Sequence, residues 1–218
     1  MDSRLRSNPS LSSEKLPAQA SQHEGQLAPG VQGNARLTGT TGVILFAMLA
    51  VEGVTILRIR PLLSWHFFFG FVLVPPVLLK MASTGYRFVR YYTGDRHYHA
   101  AGPPKPILRL IAPVVAVTTL VVFITGVELW LYGDQFGPSW LRVHQLGFVV
   151  WFLAVSIHVL GYLARAPRLA VEDFQPDRRL AGALTRRSLA GGSIITGLAL
   201  ALAAAQRVSP FVSSHLTR

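Results

Sequence analysis

Residues 140–164 read WLRVHQLGFVVWFLAVSIHVLGYLA. Arg142 is the one full charge in the stretch, and His144 and His158 are its two titratable rings. A bilayer hydrocarbon core about 30 Å thick takes about 20 residues of helix at about 1.5 Å each, so this stretch is long enough to cross one. Lipid offers backbone groups no partners, so a crossing segment has to be helical. Four more runs share this character: 39–57, interrupted only by Glu52, then 62–83, 107–132 and 188–206. The chain therefore reads as an all-α integral membrane protein with five transmembrane helices, the first four forming a bundle.

Composition points the same way. Half of the 218 residues are hydrophobic and 14% are charged, where a soluble domain carries roughly 25% charged residues. That excludes a water-soluble globular enzyme and a disordered chain as the main reading. With no cysteine, disulfides, thiolate-ligated iron–sulfur clusters and a cysteine nucleophile are excluded too. The net charge of +11 sits in short segments between apolar runs, which argues for a polytopic membrane protein and against a nucleic-acid partner.

The chain divides into a disordered tail over 1–36, a four-helix transmembrane bundle over 37–165, a cytoplasmic loop over 166–187, and a fifth helix with a short outer tail over 188–218. Arg4, Arg6, Lys15 and Arg36 lie in the tail. Lys80, Arg87, Arg90, Arg96, Lys105 and Arg109 follow the second run, and Arg165, Arg168, Arg178, Arg179, Arg186 and Arg187 follow the fourth. Arg58, Arg60, Arg142, Arg207 and Arg218 fall on the other side. Cytoplasmic loops carry the excess of Lys and Arg, so the N-terminus reads as cytoplasmic and the C-terminus as outside. Trp65, Trp130, Tyr132 and Trp140 then gather at the outer ends, as an aromatic belt does.

An ionisable side chain in the bilayer costs roughly 2.5–3.5 kcal/mol or more, so each asks for a reason. Glu52, His66, Glu128 and His144 come one from each of the first four runs and lie at a similar depth near the outer face. His158 follows His144 by fourteen residues. At about 100° per residue the two return to within about 40° of one face, about 21 Å apart. Gly70, Gly147 and Gly161 each lie within about a turn of a histidine, where a missing side chain lets a flat group approach the backbone. Close helix packing explains the same glycines.

Two histidines fourteen apart on one apolar helix, with another on an earlier helix, resemble the b-type cytochrome membrane subunits, including cytochrome b and the gamma subunits of formate dehydrogenase and hydrogenase. The segments WHFFFG at 65–70 and GYRFVRYYTG at 85–94 also resemble small bacterial membrane proteins of this kind. The resemblance covers about residues 40–165. It implies a four-helix core holding haem b between histidines and exchanging electrons with quinone or a redox protein partner. The chain would then be a multi-pass subunit in a bacterial plasma membrane rather than a complete enzyme. Carried onto this sequence, His66 and His144 are the axial pair of an outer haem, and His158 is one ligand of an inner haem. The sequence departs from the family at the position fourteen after His66, which is Lys80. One haem has histidines at both axial positions; a second lacks its partner histidine unless Lys80 serves or His97 or His99 folds back. Glu52 or Glu128 would accept from the imidazoles' other ring nitrogen.

Two rivals stay open. A cofactor-free structural or assembly membrane protein would use the histidines as interhelical hydrogen-bond donors. A transporter or non-haem metal protein would use Glu52, His66, Glu128 and His144 together. No GxGxxG follows a strand pattern, so no flavin or nicotinamide fingerprint is present.

The connecting segments carry further expectations. Pro75 and Pro76 kink the second helix or free a carbonyl. Residues 86–92 extend that helix as an aromatic and basic arm for anionic headgroups. The stretch 101–106 is a stiff turn. The fifth helix stands apart, with Ser193, Gly197, Ala201 and Ala205 as a close-packing face. Residues 185–189 (TRRSL) resemble a twin-arginine export signal, although positive-inside anchoring explains the arginines as well. The mixed charge of 166–187 offers a contact for a partner.

Overall fold

A computed structural model describes residues 27–103, 105–175 and 180–216, with 215 and 216 by backbone only. Most of the tail, with Arg4, Arg6 and Lys15, lies outside the described residues, as do Pro104, Asp177, Arg178, Arg179 and Arg218. Every regular element among the described residues is helical. Five of the helices are long and apolar enough to cross a membrane.

Helix α1 spans Pro29–Leu57 and α2 spans Ile59–Tyr92. The start of α1 at Pro29 revises the expected tail, since residues 29–36 are helical. Proline suits a first helical turn because its fixed φ is already helical and its missing N–H would have no partner there. The polar residues that hide this turn in the sequence are held by bonds to other parts of the chain. Asn34 Nδ2 donates to the Ser83 carbonyl at 3.0 Å, and Arg36 Nη1 donates to the Glu172 carbonyl at 3.3 Å.

At Pro75 and Pro76, α2 keeps helical dihedrals; its one non-helical residue is Leu62. Pro76 has no N–H for the Val72 carbonyl, four residues back. That carbonyl is instead met by Gly197 of α7, which spans Ala183–Ala205. A Cβ on Gly197 would overlap it, so only glycine lets the two backbones come this close. Gly197, Ala190, Ala201 and Ala204 are buried along α7. The fifth apolar helix therefore does not stand apart: α2 packs on it more extensively than on α1. Of the expected close-packing face, Gly197 and Ala201 are buried, whereas Ala205 is exposed.

Helices α4 (Pro106–Tyr132) and α5 (Pro138–Tyr162) form an antiparallel hairpin. Asp95 precedes the short α3 (Arg96–Ala100) and caps it, accepting from the N–H groups of His97 and Tyr98. The α4–α5 turn uses Gly133 and Gly137 at φ 62° and 80°, a region that side chains beyond glycine rarely adopt. This hairpin meets α2 at few points, among them the Phe71 and Trp130 rings, 5.0 Å apart. Helix α8 (Pro210–Leu216) folds across its end, where Leu63, Leu129 and Phe211 make a small core. Two helix groups result, α1–α2–α7 and α4–α5, with a seam between them.

Helix α6 spans Arg165–Glu172 and lies on α1. Leu169 and the Ala166 carbonyl sit where a side chain on Gly39 would be.

Candidate functional site

The polar residues within the apolar helices gather at two levels. At the first, Glu52 and Thr55 of α1 meet His66 of α2. His66 Nδ1 lies 2.8 Å from Glu52 Oε1 and 3.1 Å from Thr55 Oγ1. Thr55 donates to the Glu52 carbonyl at 2.6 Å. A carboxylate accepts, so the contact with Glu52 sets the His66 ring proton on Nδ1 and leaves Nε2 as the lone-pair nitrogen.

His144 of α5 repeats the arrangement with a neutral partner. Its Nδ1 lies 2.9 Å from Thr125 Oγ1 of α4, and Thr125 spends its own proton on the Val121 carbonyl at 2.6 Å. Thr125 therefore accepts from His144, and Nδ1 again carries the proton. The ring rests against Gly126, where a Cβ would stand 3.2 Å from His144 Cε1. His66 and His144 belong to different helix groups.

The second level is near the other end of the span. Lys80 Nζ donates to the Thr38 carbonyl at 2.5 Å, and Gly42 leaves room for the ammonium. Thr38 Oγ1 bonds Ser83 Oγ at 3.0 Å. His158 lies toward the same end, on α5. Its Nδ1 is buried without a hydrogen-bond partner, and its ring centroid is 5.0 Å from that of Tyr162.

Several expected participants are elsewhere. Gly147 faces Val121 and Gly161 faces Leu108, so both serve packing between α5 and α4. A Cβ on Gly70 would stand 3.9 Å from Glu52 Oε1, in ordinary contact. Glu128 has a buried Oε2 without a hydrogen-bond partner. Among the described residues no three His, Asp or Glu side chains converge as a metal-ion site, so Glu52, His66, Glu128 and His144 do not form one. His99 stacks on Tyr91 with ring centroids 4.5 Å apart, and His97 sits in α3; neither folds back toward His158.

Sequence reasoning missed Thr55, Thr125 and Gly126. Hydroxyls and glycines are ordinary in membrane helices. Only the pairing of α4 with α5 and of α1 with α2 marks these three.

A second cluster joins the helix ends. Asp173, just after α6, pairs both carboxylate oxygens with Arg186 of α7 and lies 3.5 Å from Arg36 Nη1 of α1. Arg36 Nη2 is 3.5 Å from Glu172 Oε2. Arg187 donates to the Asp173 carbonyl and lies over the Phe174 ring, 4.4 Å from its centroid. Burial favours the neutral carboxyl of Asp173, but the hydrogen bond and charge of Arg186, joined by Arg36, outweigh it and hold Asp173 below the usual carboxylate range. The twin arginines are thus internal ties between elements.

No family model matches the chain, and neither a curated protein nor a solved structure matches it.

Proposed function

We propose that this chain is a multi-pass membrane protein of a bacterial plasma membrane that binds one haem b and carries electrons. His66 and His144 would hold its iron in this reading. The observation that carries it is the matching Nδ1 anchorage of the two rings. Each has Nδ1 tied within its own helix group, His66 to Glu52 and Thr55 and His144 to Thr125, which leaves each Nε2 for another partner. A metal-ligating histidine characteristically donates its other ring N–H to a fixed acceptor. Gly126 adds a cradle beside His144. The bound group would supply reversible one-electron chemistry.

This reading takes one such group. Among the described residues no hydrogen bond or ring contact joins His158 to another histidine, and Lys80 is engaged by the Thr38 carbonyl. Glu52 and Thr55 hold His66, and Thr125 holds His144. Electrons would arrive from quinone or a redox protein, with the basic end of the bundle cytoplasmic by its Lys and Arg excess.

The cofactor-free reading has one observation in its favour. The bonds to Glu52, Thr55 and Thr125 also serve as interhelical ties. Oxidised and dithionite-reduced visible spectra of protein purified from a haem-competent host separate the two. Sharp reduced α and Soret bands with about one haem per chain are expected. Absence of porphyrin absorbance, with a control cytochrome loaded in the same host, refutes the haem reading and leaves the structural one.

A further inference from the structure

At about 100° per residue, the surface of α6 and the turn after it divides into three faces. Ala166, Leu169 and Asp173 face α1, against Gly39 and Arg36. Arg165 and Arg168, three apart, form a second flank. Both are exposed, and neither makes a hydrogen bond or ion pair among the described residues. Val171 and Phe174 form the third flank, each 55% exposed, with Arg187 over one face of the Phe174 ring. The helix thus sets a basic edge beside an apolar edge.

The carboxylates that end the helix are already committed. Glu172 and Asp173 serve Arg36 and Arg186. Glu172, one turn from Arg168, is turned to Arg36, so the two arginines of α6 have no ion pair among the described residues. Their depth is informative. Helix α6 packs at Arg36 and Gly39, where α1 passes from polar to apolar sequence. In a bilayer this is the level at which headgroups meet acyl chains.

We propose that α6 is an interfacial helix, and that Arg165 and Arg168 bind the phosphate of an anionic phospholipid headgroup while Val171 and Phe174 rest on its acyl chains. The proposal rests on the membrane reading above and is independent of haem. An acidic protein would satisfy the arginines but not the apolar flank at that depth; a lipid satisfies both.

The test uses the full chain in nanodiscs of phosphatidylcholine, with or without phosphatidylglycerol, read by native mass spectrometry of retained lipid. Preferential retention of phosphatidylglycerol is expected. Arg165→Gln with Arg168→Gln should weaken it roughly fivefold per arginine, about 25-fold together. The paired lysine variants should keep most of it. Arg58→Gln with Arg60→Gln, at the opposite end, should leave it unchanged. Added salt should weaken retention in the wild type, which tests the charge term even where the glutamine pair does not fold. Inorganic phosphate should not displace the lipid.

Equal retention of the two lipids overturns the proposal. So does unchanged retention in a glutamine pair of native helix content, loss of retention in the Arg58 and Arg60 pair, salt-independent retention, or displacement by phosphate alone, which marks a free-phosphate site. Failure to enter nanodiscs at all overturns instead the membrane reading on which the proposal rests.

Discussion

Gly197 of α7 lies against the Val72 carbonyl, the one that Pro76 deprives of its helical donor. A local defect in one helix has become the docking point of another. Gly197→Ala should therefore destabilise the protein by about 1–3 kcal/mol through overpacking. Gly191 and Gly192, on the same helix, have open space where a Cβ would stand. Alanine there should be neutral or slightly stabilising, since it is the better helix former. Thermal midpoints in detergent check both, and an equal effect at Gly192 and Gly197 contradicts the packing account.

Asp173 holds α6, α1 and α7 together at the basic end. Its pKa lies below the usual value, so its ion pairs contribute stability that is fully present above about pH 4, the unfolded carboxylate value. That contribution is lost as pH falls through the lower, folded value. Asp173→Asn should cost about 3 kcal/mol near neutrality, because it leaves Arg186 buried without its countercharge. The variant should lose less stability on acidification than the wild type does. Thermal unfolding of both proteins from pH 7 to pH 3 checks the sign.

Gly39 admits Leu169, and a larger residue there should lift α6 from α1. Gly39→Leu is expected to expose the loop after α5 to limited proteolysis, with the apolar helices intact. An unchanged cleavage pattern contradicts the docking described above.

Much of this architecture is readable in the sequence because a bilayer demands long apolar runs, and each run has a helix. The ends are harder to read. Pro29–Arg36 looks like tail because Gln32, Asn34 and Arg36 are polar, and their partners, such as Ser83 and Glu172, lie far along the chain. The place of α7 was hidden for a similar reason. An Ala- and Gly-rich helix with no ionisable residue in its apolar part carries no sign of its neighbour, and the sign that exists is the proline pair in α2. The clasp of Arg36, Asp173 and Arg186 joins three distant segments, so charge counting alone reads its arginines as loop cations.

The site divides in the same way. His66 and Glu52 were visible as ionisable residues at one depth, and they do meet. His144 was visible, but its partner proved to be the hydroxyl of Thr125 rather than Glu128. Glycine spacing alone marked Gly147 and Gly161, which serve packing, and passed over Gly126, which touches the imidazole. Gly126→Leu should displace His144 from Thr125 and, in the proposed function, lower haem content below half of wild type. Normal haem content in a folded variant contradicts the cradle.

The most direct test of the central claim is haem stoichiometry by pyridine haemochrome assay in His66→Ala, His144→Ala and His158→Ala, each purified beside the wild type. The account predicts about one haem per wild-type chain, near-complete loss in the first two variants, and retention in the third. No haem in the wild type, or loss on replacing His158 with retention after replacing His66 or His144, contradicts it.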